Sequence, residues 1–289
     1  YYYSLWNGDY PYKQVTAVDG TISAGGGMEY PNVTVIGNSS SKEDLEVVIV
    51  HEVGHNWFYG ILGTNERVHG WMDEGLNTLN EMRYIQTKYP DNTRLSDMVG
   101  GRFHFEGLNH QDMGDLSYRL LAHLGEDQPI ETHSACFSPA NYGIIMYQKT
   151  GLVFHYLKDY LGDELFDKCM HAYYDNWSFK HPQPEDLKAI LEKTSGKDLS
   201  WLFVDLIQTS NHVDCRICSV KRAKVGSVVK VSNAGTINGP IEINVIKDGQ
   251  LVETKWTEPS DHTQKVAIQT SNPDQVIIDQ DRQIPDLYR

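Results

Sequence analysis

The chain has 289 residues, 40% hydrophobic and 11% aromatic, enough to bury one large core and a smaller one, which excludes disorder as the dominant state. Its 25 basic residues against 39 acidic ones give a formal charge of −14. The acidic residues are spread along the chain, so the surface repels phosphate backbones and nucleic acid is not an expected partner. No apolar run reaches the roughly 18 residues of a membrane span, so none is expected.

The chain opens at Tyr1-Tyr2-Tyr3 without an initiator Met, and a processed protein or an excised fragment is expected. The compartment stays open, with a lean to a periplasmic or extracytoplasmic one. The Asn-x-Ser/Thr sites at Asn32, Asn38 and Asn176 matter only in a secretory setting. Gln14–Val18 and Asn32–Ile36 are rich in β-branched residues and stop at Asp19-Gly20 and Gly37-Asn38, which predicts two strands. Between them lies Gly25-Gly26-Gly27-Met28-Glu29-Tyr30.

Ser40 with Glu43 fits a capping box, and Leu45, Val48 and Ile49 follow at helical spacing, with Val47 and Val50 on other sides. A buried helix is expected from here to near Gly60. A second helix is expected from near Met72 through Tyr84 to about Tyr89, stopped by Pro90-Asp91-Asn92. Residues 95–140 are mixed, with a helix around Tyr118–Leu124. Ile144 to Thr209 is mostly helical, with stops at Gly162 and Gly196. After His212 short alternating runs are broken by Asn-Ala-Gly, Asn-Gly-Pro and Lys-Asp-Gly, which predicts a small antiparallel β-sandwich. The expected division is therefore 1–212 and 213–289. Of the four cysteines, Cys215 and Cys218 have the spacing of half a zinc knuckle, but nothing completes it, and all four are read as structural or free thiols.

His51-Glu52-Val53-Gly54-His55 falls on the capped helix. Successive helical residues turn by about 100°, so positions four apart lie about 40° apart, and both imidazoles face one way. That suits two positions of a tetrahedral Zn²⁺, with Glu52 placed to accept a proton from an attacking water. A catalytic zinc needs a third protein ligand and one open position. Glu74, in Trp71-Met72-Asp73-Glu74-Gly75, opens the second helix and supplies a candidate. One zinc per chain is expected, because a set of two His and one Glu favours Zn²⁺ over Co²⁺ or Mn²⁺.

HExxH, eighteen residues, then Glu within W-x-D-E-G resembles the aminopeptidase N family of gluzincin metallopeptidases. Gly26-Gly27-Met28-Glu29-Tyr30 resembles that family's G-x-M-E-N exopeptidase motif, and Tyr147-Gln148-Lys149 resembles the start of its Y-x-K-G segment, with Tyr142 matching a second recurrent tyrosine. The resemblance implies an α+β fold: a thermolysin-like catalytic domain, with a small sheet and a mostly helical lobe, followed by a small β-sandwich. It implies hydrolysis of the N-terminal bond of peptides with a free N-terminus. Glu29 would hold the substrate amine, Gly26, Gly27 and Met28 would pair with the peptide backbone, and Tyr147 would donate to the oxyanion. Two departures stand out: Tyr30 replaces the family's Asn, and Thr150 stands where the tyrosine motif has Gly, with Gly151 one place late. Relatives also carry a β-rich domain before the catalytic one and often a helical domain after it, so further domains of the same protein are expected. The rival readings are a thermolysin-type zinc endopeptidase, epoxide hydrolysis within the same family, and a scaffold or fragment with impaired chemistry. The remaining histidines, among them His69, His104, His110, His123 and His133, have no paired spacing and read as surface or structural, with His110 and His133 candidates for the cleft wall.

Overall fold

A computed structural model describes residues 1–22, 26–90, 110–282 and 284–288. Gly25, His104 and the expectations for 91–109 lie outside these residues. Helix α1 (Tyr2–Trp6) buries Tyr3 and Trp6. A three-stranded sheet follows, built from β1 (Thr16–Asp19), β2 (Gly27–Met28) and β3 (Val33–Ile36) in the order β1-β3-β2. β1 runs parallel to β3 and β2 antiparallel to it, which leaves β2 at an edge.

Helix α2 (Lys42–Gly54) starts one residue later than expected. Ser41 Oγ accepts the Asp44 N–H at 3.0 Å, while Asp44 Oδ2 accepts the Ser40 N–H at 2.8 Å. Three successive serines facing Glu43 and Asp44 admit either register, and the side chains select the second. The helix also ends at Gly54 rather than Gly60. Tyr59 adopts φ of 110°, outside any helix, and the segment instead bridges Phe58 to Leu62 and Leu62 to Lys180. Nor is α2 buried throughout: Val47 to Val50 are half-buried, and Glu52 and Gly54 are its fully buried residues. Its apolar residues partly face an open groove instead of a second layer.

A short 3₁₀ turn (Gly70–Met72) leads into α3 (Glu74–Lys88), which buries Leu76, Leu79 and Met82 together with Asn77, Thr78, Asn80, Glu81 and Arg83. So much buried polarity on one helix is tolerable only where each group is paired. Then come α4 (His110–Leu124), a π-helical segment (Tyr142–Lys149) running into α5 (Thr150–Leu161), α6 (Asp163–Trp177) and α7 (Pro184–Ser195). Gly162 and Gly196 stop α5 and α7 at positive φ of 78° and 70°, as expected. Trp71, Leu76, Tyr118, Phe154, Tyr156 and Trp201 belong to one core, where each large side chain contributes roughly 1.5–3 kcal/mol by leaving water. No helix among the described residues is long and apolar enough to cross a membrane.

The last third forms two antiparallel three-stranded sheets. β4 (Cys215–Arg222), β5 (Ser227–Asn233) and β8 (Gln264–Ile268) make one, in the order β4-β5-β8. β6 (Glu242–Lys247), β7 (Gln250–Trp256) and β9 (Gln275–Ile278) make the other, in the order β7-β6-β9. Val229, Val231, Ile241, Ile243, Val245 and Ile268 fill a core of their own. The β6–β7 turn falls on Asp248-Gly249, both at positive φ, the hairpin chemistry the sequence signals. Val213, Ile237 and Ile284 pack into the helical core, and the Tyr156 hydroxyl donates to the Pro240 carbonyl. All four cysteines are free. The architecture is the expected α+β arrangement of small sheet, helical lobe and β-sandwich.

Candidate metal centre and substrate groove

Gly54 lets α2 and α3 approach closely. A Cβ there would lie 2.0 Å from Asn77 Oδ1 and 2.3 Å from the Tyr3 hydroxyl. Asn77 uses that proximity: its Nδ2 donates to the His51 carbonyl at 2.6 Å, and its Oδ1 accepts the Tyr3 hydroxyl at 2.8 Å. The end of α2 is thereby fixed against the start of α3, and His51, His55 and Glu74 converge. His51 Nε2 lies 3.2 Å from His55 Nε2, and each of these nitrogens lies 3.2 Å from Glu74 Oε2.

The far nitrogens decide the tautomers. His51 Nδ1 is 3.0 Å from Glu81 Oε2, and His55 Nδ1 is 2.7 Å from Asp73 Oδ1 and 3.1 Å from the Phe58 carbonyl oxygen. These partners accept hydrogen bonds, so each Nδ1 carries a proton, and each Nε2 turns a lone pair inward once its own proton gives way to a metal. Two lone pairs and a carboxylate oxygen then face one another in a triangle with equal edges. Positive charge has to occupy such a triangle, either protons shared with Glu74, which with Glu81 lifts His51 to about 9 and with Asp73 lifts His55 well above the usual range, or a metal cation in their place. Donor atoms about 2.0 Å from a tetrahedral Zn²⁺ stand about 3.3 Å apart, so the donor set fits that ion in chemistry and in size.

Glu52 is buried beside them, and its Oε2 has no hydrogen-bond partner among the described residues. Burial lifts its carboxyl to about 7 against the pull of His51 and His55, with Glu29 and Glu74 adding to the rise. An unpartnered buried acceptor next to a three-donor triangle is costly unless something else binds there. Gly27 on β2 is what lets Glu52 occupy this place. A Cβ at residue 27 would lie 2.2 Å from Glu52 Cγ and 2.4 Å from Cδ.

Tyr147 projects from the π-helical segment. Its ring stacks on His51 with centroids 5.9 Å apart, and burial together with Glu74 raises its hydroxyl well above the ordinary range, so it stays protonated. The Thr150 N–H donates to the carbonyl of Ile145, five residues back, at the end of this segment. The Thr150 methyl then packs where a Cβ on Gly75 would be, 2.2 Å away, and Gly151 faces Thr78 and Met82.

A groove of about 560 Å³ runs past these side chains, lined by Gly26, Gly27, Met28, Glu29, His51, Glu52, His55, Glu74 and Tyr147. The nine residues assigned from the sequence to metal, catalysis and substrate thus all lie along it. A side cavity of about 200 Å³ opens between Met28, Glu29, Glu66, Asp73, Tyr142 and Met146. Carboxylate oxygens of Glu29, Glu66 and Asp73 approach within 4.8 Å of one another there. Ser134 pins the loop that carries Glu66, its Oγ donating to the Glu66 carbonyl at 2.7 Å and its N–H to the Arg67 carbonyl at 2.9 Å. The same loop is held by Glu131, which accepts from the Trp71 indole and pairs with His69.

Sequence reading missed Glu66, Asp73 and Glu81. Asp73 was readable as the neighbour of Glu74, and Glu81 as the residue seven positions on, along the same face of α3. Glu66 sits in a loop with no periodicity to expose it. His110 and His133 do not line the groove. His110 lies behind His51, against Glu81, while His133 Nδ1 accepts the Ala135 N–H and caps a 3₁₀ turn.

The fold and the donor triangle define a zinc metallopeptidase-type catalytic domain. The family model described as the Peptidase family M1 domain matches residues 1–206, and the chain belongs to that family, whose cofactor is zinc. Among curated relatives it is 26% identical over 162 residues to Aminopeptidase M1-D of Oryza sativa subsp. japonica, covering 55% of this chain and 17% of that one. It is 29% identical over 167 residues to Aminopeptidase M1 of Arabidopsis thaliana, covering 57% and 17%. The chain thus spans about a sixth of the length of these relatives. Legionella pneumophila aminopeptidase A, solved with aspartic acid, superposes over 98% of this chain and 32% of its own at TM-score 0.72 and 13% identity. A Deinococcus radiodurans M1 zinc metallopeptidase, solved as its E323A mutant with a Tyr-Ser-Ala substrate, matches over 72% and 42% at TM-score 0.53 and 18% identity. At those identities the two structures speak for the fold.

Proposed function

We propose that this domain is a zinc-dependent aminopeptidase, with His51, His55 and Glu74 as metal ligands. The observation that carries the proposal is the 3.2 Å triangle of His51 Nε2, His55 Nε2 and Glu74 Oε2 beside the oxygen of Glu52 that has no partner among the described residues. When bound, zinc polarises the scissile carbonyl and makes a water acidic enough to attack it. Glu52 accepts the proton from the attacking water and passes it to the leaving amine. Tyr147, kept protonated and aligned by its contacts with His51 and Glu74, donates to the developing oxyanion.

The side cavity supplies the restriction to N-termini. A free α-ammonium one residue from the scissile bond meets Glu29, and Glu66 within reach of Glu29 adds a second carboxylate. Among the described residues β2 is an edge strand, along which an extended peptide adds as a further strand. The test is one peptide in free-amine and N-acetylated forms, given to the zinc-loaded protein beside Glu52→Gln and Glu29→Ala. Cleavage of the free form alone, abolished in Glu52→Gln and weakened in Glu29→Ala, is the expected result. Equal cleavage of both forms would sink the amine-anchor role and favour an endopeptidase.

A further inference from the structure

The two histidines of the triangle are held differently from behind. His55 is clamped by two acceptors, the Phe58 carbonyl three residues on and Asp73 at the head of α3, and is almost wholly buried. The Nδ1 of His51 rests on Glu81, a side chain on another helix. The aim of the His51 lone pair therefore depends on what holds Glu81 still. Glu81 is 6% exposed, and its second oxygen lies 2.6 Å from Nε2 of His110, the first residue of α4. One carboxylate thus bridges two imidazoles, with each of its oxygens on a different ring.

We propose that His110 is a positioning residue for the zinc site, acting through Glu81 on His51. The inference rests on the metal-site reading above and adds to it a residue that touches neither metal nor substrate. With His110 in place, both oxygens of Glu81 are engaged, and its plane, and with it the His51 ring, has one orientation. Without His110 the carboxylate can rotate about its terminal bond and the His51 ring can tilt. Outer hydrogen bonds of this kind are worth about 10–100-fold in metal affinity when removed. One step further out, His110 falls at the lower end, about 10-fold.

The experiment measures the zinc Kd by chelator competition on wild type, His110→Leu, His110→Gln and Glu81→Gln, each with the visible spectrum of its Co²⁺-loaded form. The wild-type titration comes first, since failure to bind one zinc would overturn the metal-site reading itself, separately from the role of His110. The expected result is about 10-fold weaker binding in His110→Leu, with an altered Co²⁺ spectrum. His110→Gln, which keeps an N–H donor toward Glu81, is expected within about threefold of wild type, and removing His110 in the Glu81→Gln background is expected to add nothing. Unchanged zinc affinity in a folded His110→Leu protein would overturn the proposal. So would equal losses in the Leu and Gln variants, or effects of His110→Leu and Glu81→Gln that simply add. Should His110→Leu fail to fold, His110→Ala takes its place in every comparison, with the same expected and overturning results.

Discussion

Gly27→Ala is a one-carbon change with a calculable target. The added Cβ would lie 2.2 Å from Glu52 Cγ, 2.4 Å from Cδ and 2.6 Å from Oε1, distances no pair of heavy atoms sustains. β2 is tied to β3 by the pairs Gly27–Ile36 and Met28–Val35, so the side chain gives way before the strand does. A shift of about 1 Å in Glu52 removes most of what a general base contributes, typically 10²–10⁴ in rate. The expected loss in kcat is about 100-fold, equivalent to about 2.7 kcal/mol. Zinc content should be unchanged, because Glu52 is not among the three donors. The assay is steady-state hydrolysis of an aminoacyl anilide by the zinc-loaded protein. Gly125→Ala is the control: residue 125 has φ of 68° with open space where a Cβ would go and is not among the groove residues, so it should lose about 1 kcal/mol of stability and no turnover. In a Glu52→Gln background Gly27→Ala should cost nothing more. A Gly27→Ala enzyme within threefold of wild-type kcat would refute the reasoning.

Tyr147→Phe should lower kcat by about 10²–10³ with zinc retained, as expected for loss of one oxyanion donor, measured by kinetics beside metal analysis. Gly54→Ala should destabilise by about 1–3 kcal/mol or more, because its Cβ would displace both Asn77 and the Tyr3 hydroxyl; denaturant unfolding of the metal-free protein checks this. Glu242 is lifted by burial, and further by the Asp279 charge, from 4.5 to about 7. The fold then binds this proton more tightly than the unfolded chain does, so its contribution is fully present below about pH 4.5 and is lost as pH rises through about 7. Full burial would make the change worth about 3 kcal/mol, and solvent screening of a part-buried side chain reduces that to about 1–2. Glu242→Gln should therefore flatten the fall in stability between pH 4.5 and 7 and raise the melting temperature at pH 8, read by thermal scans across pH.

The chemistry was legible where it depends on helical spacing. His51 and His55 one turn apart, and Glu74 at the head of the next helix, follow from periodicity and a fixed interval, and the structure brings all three together. The β-sandwich was legible because its turns carry Asp-Gly and Asn-Gly pairs. The end of α2 was not, since Trp57 and Phe58 continue an apolar pattern while the backbone is diverted by bridges to Leu62 and Lys180, far along the chain. The π-helical segment that carries Tyr147 left no readable trace in the sequence, because its apolar residues fit an ordinary helix as well. The supporting acids were hidden for another reason. Glu66 and Glu81 act through contacts made by folding, and neither the loop of one nor the helix of the other names its partner.

The central claim is the identity of the three donors, and zinc-edge X-ray absorption of the protein loaded with one equivalent tests it most directly. The expected spectrum has two imidazole nitrogens and carboxylate or water oxygen at about 2.0–2.2 Å, collapsing to weak, heterogeneous binding in His51→Ala. Sulfur scattering at about 2.3 Å would place the zinc on Cys215 and Cys218 instead and contradict the account.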